Sequence, residues 1–132
     1  MLMKLQLQTE ERSQMIDVTG KVREALQKTG ISEGLITVYC PHTTAGMTIN
    51  EGADPDVAGD ILRHLDELYP WDSPGYRHGE GNSAAHLKAS AVGASQAIPL
   101  ENGTMLLGTW QVIYFCEFDG PRRRTFVVKI TA

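Results

Sequence analysis

The sequence lacks the features that mark membrane-spanning, exported and nucleic-acid-binding proteins. No apolar run approaches the roughly 18 residues of a membrane helix. Residues 1–6 alternate in polarity, unlike the apolar block of a signal peptide. The formal net charge is −4, whereas a domain that binds nucleic acid is usually basic. We therefore expect a cytoplasmic protein that has neither a membrane nor a nucleic acid among its partners.

Cysteine is also scarce, with two residues in a chain of 132. This count is too low for a disulfide scaffold. Cys40 and Cys116 both lie in apolar runs, so we expect buried, reduced thiols that take no part in chemistry. The length suits a single domain over residues 1–132 and is too short for two ordinary ones.

The pattern of apolar residues predicts an α+β fold with a mostly antiparallel sheet or sandwich and two or three helices. Helices are predicted to begin at Asp17 or Thr19, at Asp54-Pro55 and near Ala84. Asn102-Gly103 between two apolar runs predicts a hairpin turn. Alternating or β-branched runs predict strands at 3–8, 13–16, 35–40, 45–50, 96–100, 104–107, 110–118 and 124–131.

The segment from His78 to His86 holds two imidazoles, a carboxylate and an amide within nine positions. Glycine and alanine separate these groups and offer little surface for packing, while glycine allows close approach to an ion or a phosphate. We expect His78 and His86 to bind a metal or a charged substrate, with Glu80 between them. Asn82 or Ser83 is expected to cap a short helix that carries His86. A polar surface loop facing water is the alternative.

His42 directly follows the strand predicted at 35–40, where binding residues often lie. If His42 meets His78 and His86, three imidazoles and an open position would suit a catalytic divalent metal such as zinc. A lone histidine at this position would more often be structural. His64 lies on the polar side of a predicted helix, and we expect it to be solvated.

Further candidates lie on either side of the predicted helices. Glu51 can orient a ligand histidine or move protons, and Glu80 competes for that role. Trp110 is either a core residue or a stacking surface for a flat heterocycle, a role that Tyr76 could also fill. Arginines at 122–124 follow a Gly-Pro turn and form either a phosphate site or a solvated charge run. The residues expected to bind substrate are Asn50, Asn82, Trp110, Gln111, Arg122 and Arg124.

Taken together, these motifs resemble the YjbQ family, whose members are often called secondary thiamine-phosphate synthases. The resemblance covers nearly the whole chain. The residues that carry it are Cys40-Pro41-His42-Thr43-Thr44-Ala45, Thr48-Ile49-Asn50-Glu51, Ala53-Asp54-Pro55-Asp56-Val57, the run from His78 to Lys88, and Gly108-Thr109-Trp110-Gln111.

The resemblance implies a small α+β fold, a homotrimer and a metal-capable pocket with ligands at His42, His78 and His86. It also implies a transferase that joins hydroxymethylpyrimidine diphosphate to thiazole phosphate and releases pyrophosphate. Three histidines favour zinc, whereas magnesium, the usual companion of diphosphates, prefers oxygen ligands. Because of that mismatch, two alternatives remain open. One is a metal-dependent hydrolase of small phosphorylated or ester compounds, and the other is a non-catalytic binder of a metal or a phosphorylated metabolite.

We also expect the working pocket to lie between subunits of the trimer. The predicted helix near 84–91 is rich in alanine and serine, a composition that suits close packing against a neighbouring subunit. The arginines at 122–124 sit on a turn between two long predicted strands. Such a hairpin would let the arginines of one subunit face the histidines of the next.

Overall fold

Eight strands and three helices make up the fold, and the computed structural model describes all residues from 1 to 132. The strands are β1 (Leu2–Gln8), β2 (Gln14–Asp17), β3 (Gly34–Tyr39), β4 (Ala45–Glu51), β5 (Ser95–Glu101), β6 (Thr104–Met105), β7 (Gln111–Glu117) and β8 (Arg123–Thr131). The helices are α1 (Thr19–Gln27), α2 (Pro55–Leu68) and α3 (Ser83–Val92).

The strands form two sheets in which every pairing is antiparallel. The larger sheet has the order β1-β8-β3-β5-β6, and the smaller sheet has the order β2-β7-β4. The predicted α+β fold with mainly antiparallel sheets and two or three helices is therefore confirmed. Individual boundaries move by one or two residues, so that β7 begins at Gln111 and β3 ends before Cys40.

The core lies in two layers on either side of the three-stranded sheet. Between the sheets, Ile36, Val38, Met47, Phe115 and Phe126 are completely buried, and α1 adds two apolar side chains at the edge of this layer. On the other face of the small sheet, buried alanines of α3 and half-buried apolar side chains of α2 complete a second cluster. The central strand β7 is therefore covered on both faces, which explains its continuous apolar sequence.

A side chain caps α2 as predicted, whereas the capping residues of α1 and α3, Val18 and Asn82, make no side-chain capping bond. Asp54 caps α2, since its carboxylate accepts a hydrogen bond from the Asp56 amide at 2.9 Å. At the start of α1, the carboxylate of Asp17 accepts from the Thr19 amide at 2.9 Å. Asn82 occupies the capping position of α3, but its side chain makes no capping hydrogen bond, so that expectation was wrong. None of the three helices is both long enough and apolar enough to cross a membrane.

The alanine-rich face of α3 packs inside its own chain. Ala84 and Ala85 are completely buried and Ala89 nearly so, and α3 lies against β4. Gly46 in β4 permits this close approach, because a β-carbon there would lie 2.6 Å from the carbonyl oxygen of Gly93. The expectation that this face packs against a neighbouring subunit was therefore wrong.

The Asn102-Gly103 hairpin and the buried thiols were predicted correctly. Both turn residues have positive φ, 53° and 74°, as the favoured two-residue hairpin turn requires. Cys40 and Cys116 are free thiols, each 1% exposed. Burial raises the pKa of both thiols, to about 12 for Cys116, so neither is an activated nucleophile.

Candidate functional site

A polar cleft of about 410 Å³ opens where three loops meet. One loop joins β3 to β4, one precedes α3, and one joins β7 to β8. No hydrophobic side chain lines the cleft, so its shape and chemistry suit a small, charged ligand. The lining residues are Pro41, His42, Thr43, Thr44, His78, Glu80, Asn82, His86, Asp119, Arg122 and Arg124.

The three predicted histidines all border this cleft. The His78 and His86 rings lie edge to face, with their centroids 5.4 Å apart. Neither ring makes a hydrogen bond to the protein, so their nitrogens are free for a ligand. The exposed His64 on α2 lies outside the cleft beside Glu67, as expected of a solvated residue.

His42 is held differently, by the backbone of β8. Its Nε2 lies 2.9 Å from the carbonyl oxygen and 3.1 Å from the amide nitrogen of Thr125. Burial lowers the pKa of His42, and the nearby positive charge of Arg124 lowers it further. The ring is therefore neutral at pH 7. A neutral ring with its proton on Nε2 donates to the carbonyl oxygen and keeps a free lone pair on Nδ1, whereas the other tautomer accepts from the Thr125 amide at Nε2.

The donor chemistry of the cleft fits a divalent metal. A histidine that ligates a metal usually donates its other ring N–H to a carbonyl oxygen or a carboxylate, as His42 can do to Thr125. His78 and His86 add imidazole donors, which suit zinc. However, no three His, Cys, Asp or Glu side chains are arranged as a formed metal centre. Convergence of the three histidines on one ion therefore remains a prediction.

Arg124 lines the cleft and is held by a buried carboxylate. The side chain is 4% exposed, and its Nε donates to Oε1 of the completely buried Glu117 at 2.8 Å. Its Nη2 donates to Oε2 of Glu117 and, at 2.8 Å, to the Thr44 hydroxyl. Only Nη1 has no protein partner, and it is not fully enclosed. One guanidinium nitrogen is thus left for a ligand.

Glu117 stays ionised because of these contacts. Burial alone would raise the pKa of Glu117, but hydrogen bonds from Arg124, the Asp119 amide and the Thr9 hydroxyl hold it below its usual value. The Thr9 hydroxyl donates to Oε1 at 2.8 Å, and the Asp119 amide donates to Oε2 at 3.0 Å. Both carboxylate oxygens are therefore fully occupied, which fixes the guanidinium plane of Arg124.

Asp119 in the β7–β8 loop holds Arg122 through Nε and Nη2, the same two guanidinium nitrogens through which Glu117 holds Arg124. The Nε of Arg122 donates to the Asp119 carbonyl oxygen at 2.8 Å, and its Nη2 donates to Oδ2 of Asp119 at 3.1 Å. The amide of Asn82 donates to the same Oδ2 at 3.0 Å. The Oδ1 atom of Asn82 is buried without a partner. Arg122, Asp119 and Asn82 therefore form one network along the cleft wall.

Four of the residues predicted to act in the site lie elsewhere in the chain. Glu51 pairs with Gln111 at one end of the β4–β7 ladder, whereas the cleft adjoins the Ala45–Glu117 end. Six strand steps, about 20 Å, separate the two ends. The residues at the far end are Asn50, Glu51, Trp110 and Gln111. The expectation that they share a pocket with the histidines is wrong within one chain.

Glu51 and Gln111 have local roles at the far end of the ladder. The Glu51 carboxylate accepts hydrogen bonds from the Ala53 and Asp54 amides at 2.8 and 3.3 Å, which orders the turn before α2. The Gln111 side chain accepts from the Gly108 amide at 2.8 Å. Trp110 is 63% exposed, so it is not a core residue.

The arginines and histidines of a single chain face each other across the cleft. Arg122 and Arg124 line the same space as His42, His78 and His86, so no second subunit is needed to bring them together. Whether arginines of a neighbouring subunit also reach the histidines stays a prediction.

A family model described as UPF0047 protein YjbQ-like matches residues 3–132. The chain belongs to the YjbQ-like UPF0047 family.

The resemblance noted in the motifs is confirmed by individual relatives. The chain is 60% identical over 130 residues to UPF0047 protein YugU of Bacillus subtilis, with 98% of each chain covered. It is 50% identical over 132 residues to a UPF0047 protein of Methanocaldococcus jannaschii, covering 98% of this chain and 94% of the relative.

Solved structures of the YjbQ-like family share the fold over almost the full length. A crystal structure of an uncharacterised conserved YjbQ/UPF0047 protein from Clostridium acetobutylicum matches with a TM-score of 0.96 and 54% identity, covering 98% of this chain and 99% of the other. A hypothetical protein from Aeropyrum pernix matches with a TM-score of 0.95 and 41% identity, covering 100% and 98%. Neither description names an activity.

Three residues that the sequence analysis gave no role belong to the site of this YjbQ-like chain. Glu117 and Thr44 hold Arg124, and Asp119 holds Arg122. Glu117 was detectable in principle, because a charged residue ends an otherwise apolar strand that is buried on both faces. Thr44 lies in a motif that carries the family resemblance, and Asp119 directly precedes the Gly-Pro turn. The sequence context of these two residues does not reveal their partners.

A second, shallower pocket adjoins the cleft beside the paired histidines. It is far less polar, and its half-buried Tyr76 and exposed Leu87 lie next to His78 and His86. The hydroxyl group of Tyr76 donates to the Pro70 carbonyl oxygen at 2.7 Å, which fixes the ring. A ligand with a charged part and a flat apolar part could therefore occupy both pockets.

Proposed function

We propose that this chain is a transferase of the thiamine-phosphate synthase type. The substrates are hydroxymethylpyrimidine diphosphate and thiazole phosphate, and the second product is pyrophosphate. The observation that carries the proposal is the cleft itself, in which two guanidinium groups and three imidazoles surround a space with no hydrophobic lining. Guanidinium nitrogens are suited to phosphate oxygens.

The chemistry divides between the two pockets. The thiazole nitrogen attacks the methylene carbon of the pyrimidine, a carbon–nitrogen bond forms, and the carbon–oxygen bond to the diphosphate breaks. The electron pair leaves with pyrophosphate, so charge develops on the leaving oxygens. The free Nη1 atoms of Arg122 and Arg124 donate to those oxygens. The flat pyrimidine stacks on Tyr76, one of the two residues expected to offer a stacking surface, and not on Trp110.

The remaining cleft residues supply metal binding and a carboxylate. His42, His78 and His86 would hold a divalent metal, with zinc favoured and magnesium possible, and the ion would neutralise charge on the leaving pyrophosphate. Glu80 borders the cleft and Glu51 does not, so Glu80 is the carboxylate available there, although the bond exchange itself moves no proton. Neutral His42 keeps its orientation through the hydrogen bond to Thr125.

A synthase assay tests the proposal directly. The purified protein is incubated with both substrates and either zinc or magnesium, and thiamine phosphate is measured by fluorescence after oxidation. We expect product formation that falls by about 100-fold or more in His86→Ala and is unchanged in the exposed control His64→Ala. No product with either metal, at protein concentrations equal to the substrate, would rule out this activity.

A metal-dependent hydrolase is the second candidate, and the position of Glu80 favours it. A hydrolase needs a carboxylate base beside an open metal position, and Glu80 lines the cleft together with the histidines. The same assay without thiazole phosphate separates the two activities. A hydrolase releases pyrophosphate or phosphate from the pyrimidine diphosphate alone, and Glu80→Gln abolishes that release.

We further propose that the chain forms a homotrimer. Support comes from apolar surface that a single chain leaves uncovered: no residue of the strongly amphipathic helix α2 is buried, and Leu106 and Trp110 are more than 60% exposed. A head-to-tail arrangement would also let Trp110 and Glu51 approach a neighbour's cleft. Light scattering after gel filtration should give three times 14.5 kDa. A monomer mass at micromolar concentration would refute the trimer.

A further inference from the structure

The two arginines of the cleft are each neutralised by a carboxylate before any ligand binds. Arg124 is paired with Glu117 through two nitrogens, and Arg122 is paired with Asp119. Such pairs orient a guanidinium group well, but they cancel its net charge. In both arginines Nη1 remains free, so the cleft offers two directed N–H donors with little net positive charge behind them.

The acidic and basic side chains that line the cleft therefore balance in formal charge. Arg122 and Arg124 face Glu80 and Asp119, and the buried Glu117, which pairs with Arg124 but does not line the cleft, adds a third negative charge. A bare diphosphate is strongly anionic, and in a partly desolvated cleft the charges of Glu80 and Asp119 repel it.

From this balance we infer that the cleft binds a diphosphate together with a divalent cation, and that Asp119 sets this requirement. The ligand is the cation–diphosphate complex, whose lower charge matches a cleft with directed donors and no excess of positive charge. Magnesium is the appropriate cation, because it binds phosphate oxygens and retains water ligands. This inference rests on the proposed diphosphate substrate, but it does not depend on catalysis.

Asp119 offers a clean test because only one of its carboxylate oxygens is in use. Oδ2 accepts hydrogen bonds from both Arg122 and Asn82, and Oδ1 makes none. In Asp119→Asn the amide oxygen can replace Oδ2, so the network persists while one negative charge is lost. Glu117 does not allow this test, because both of its oxygens accept hydrogen bonds. The matched control is Asp60→Asn, which removes the same charge from an exposed pair with Arg63 on α2.

The experiment measures binding of inorganic pyrophosphate by calorimetry at pH 7.5, with magnesium or with a chelator. For the unaltered protein we expect magnesium to tighten binding about tenfold or more. Asp119→Asn should tighten metal-free binding by about tenfold and reduce the effect of magnesium accordingly. Asp60→Asn should behave like the unaltered protein, and thermal melts should show that both variants are folded.

Three results would overturn parts of this reasoning in distinguishable ways. Equal affinity with and without magnesium would refute the cation requirement and leave the proposed function intact. An unchanged metal-free affinity for pyrophosphate in Asp119→Asn would show that Asp119 does not set the cation requirement. No pyrophosphate binding under any condition would refute both this inference and the proposed diphosphate substrate.

Discussion

Replacing Arg124 by leucine should strongly destabilise the protein, and the reason lies in the carboxylate that would remain. Glu117 is completely buried, and in Arg124→Leu it keeps only the Thr9 hydroxyl and the Asp119 amide as partners. Removing one member of a buried ion pair typically costs about 3–5 kcal/mol. Domains of this size are stable by only about 5–15 kcal/mol, so the melting temperature should fall by roughly 10–20 °C.

The pH dependence of this variant should have the opposite sign to that of the parent protein. In the parent, hydrogen bonds hold the pKa of Glu117 below the ordinary value of 4.5, so its contribution is present at neutral pH and is lost on acidification through that lowered pKa. Without Arg124, burial raises the pKa of Glu117 instead. The variant should therefore gain stability relative to the parent as the pH falls from 7 to 5.

Urea unfolding of the parent, Arg124→Leu and the double variant Arg124→Leu/Glu117→Leu at pH 7 and pH 5 checks this reasoning. The double variant should recover most of the lost stability, because well-packed apolar residues often replace a buried ion pair at little cost. A loss below about 1 kcal/mol in the single variant would show that the pair is not structurally important. A double variant as unstable as the single one would show that the loss comes from packing rather than from the unpaired charge.

Three further outcomes are expected. A thiol reagent should label neither cysteine in the folded protein and both after unfolding, since each is 1% exposed; full labelling in the folded state would contradict their burial. His86→Ala should abolish retention of a stoichiometric divalent metal, measured by elemental analysis, whereas His64→Ala should retain it. Equal metal content in the two variants would show that His86 does not bind the metal. Gly46→Ala should lower the melting temperature by several degrees because a β-carbon there meets the Gly93 carbonyl oxygen, whereas Gly20→Ala in α1 has open space and should be neutral or slightly stabilising.

The fold was predictable because its determinants are local. Apolar alternation indicated the strands, Asp54-Pro55 the start of α2, and Asn102-Gly103 a hairpin whose two residues do adopt positive φ. The order of strands and the division into two sheets were not predictable, because they depend on pairings between distant residues such as Leu2 and Lys129. The packing partner of α3 was predicted wrongly for a related reason. By composition alone, an alanine-rich helix face suits a neighbouring subunit as well as it suits the sheet of its own chain.

The site was predictable only where the residues themselves are chemically unusual. Histidines and arginines stood out in the sequence, and they do meet at one cleft. Glu51 stood out equally, yet it lies about 20 Å away along β4 and orders a turn. Sequence shows which side chains can perform chemistry, whereas their grouping depends on which end of a strand each occupies. The carboxylates that orient the arginines are recognised only through their partners, and these follow from tertiary structure.

The cleft residues also complete the ends of the sheets, which links binding to stability. The β3–β8 pairing stops at Tyr39 and Val127, and the imidazole of His42 then contacts both backbone polar groups of Thr125. Arg124 similarly donates to the carbonyl oxygen of Thr44, the last residue before β4. Because buried backbone groups are costly to leave unpaired, His42 stabilises the fold by pairing with one of the two Thr125 groups. Arg124 adds a second donor to a carbonyl oxygen that already accepts from the Phe118 amide. His78 and His86 make no hydrogen bonds to the protein, so these two side chains can bind a ligand without breaking a structural hydrogen bond.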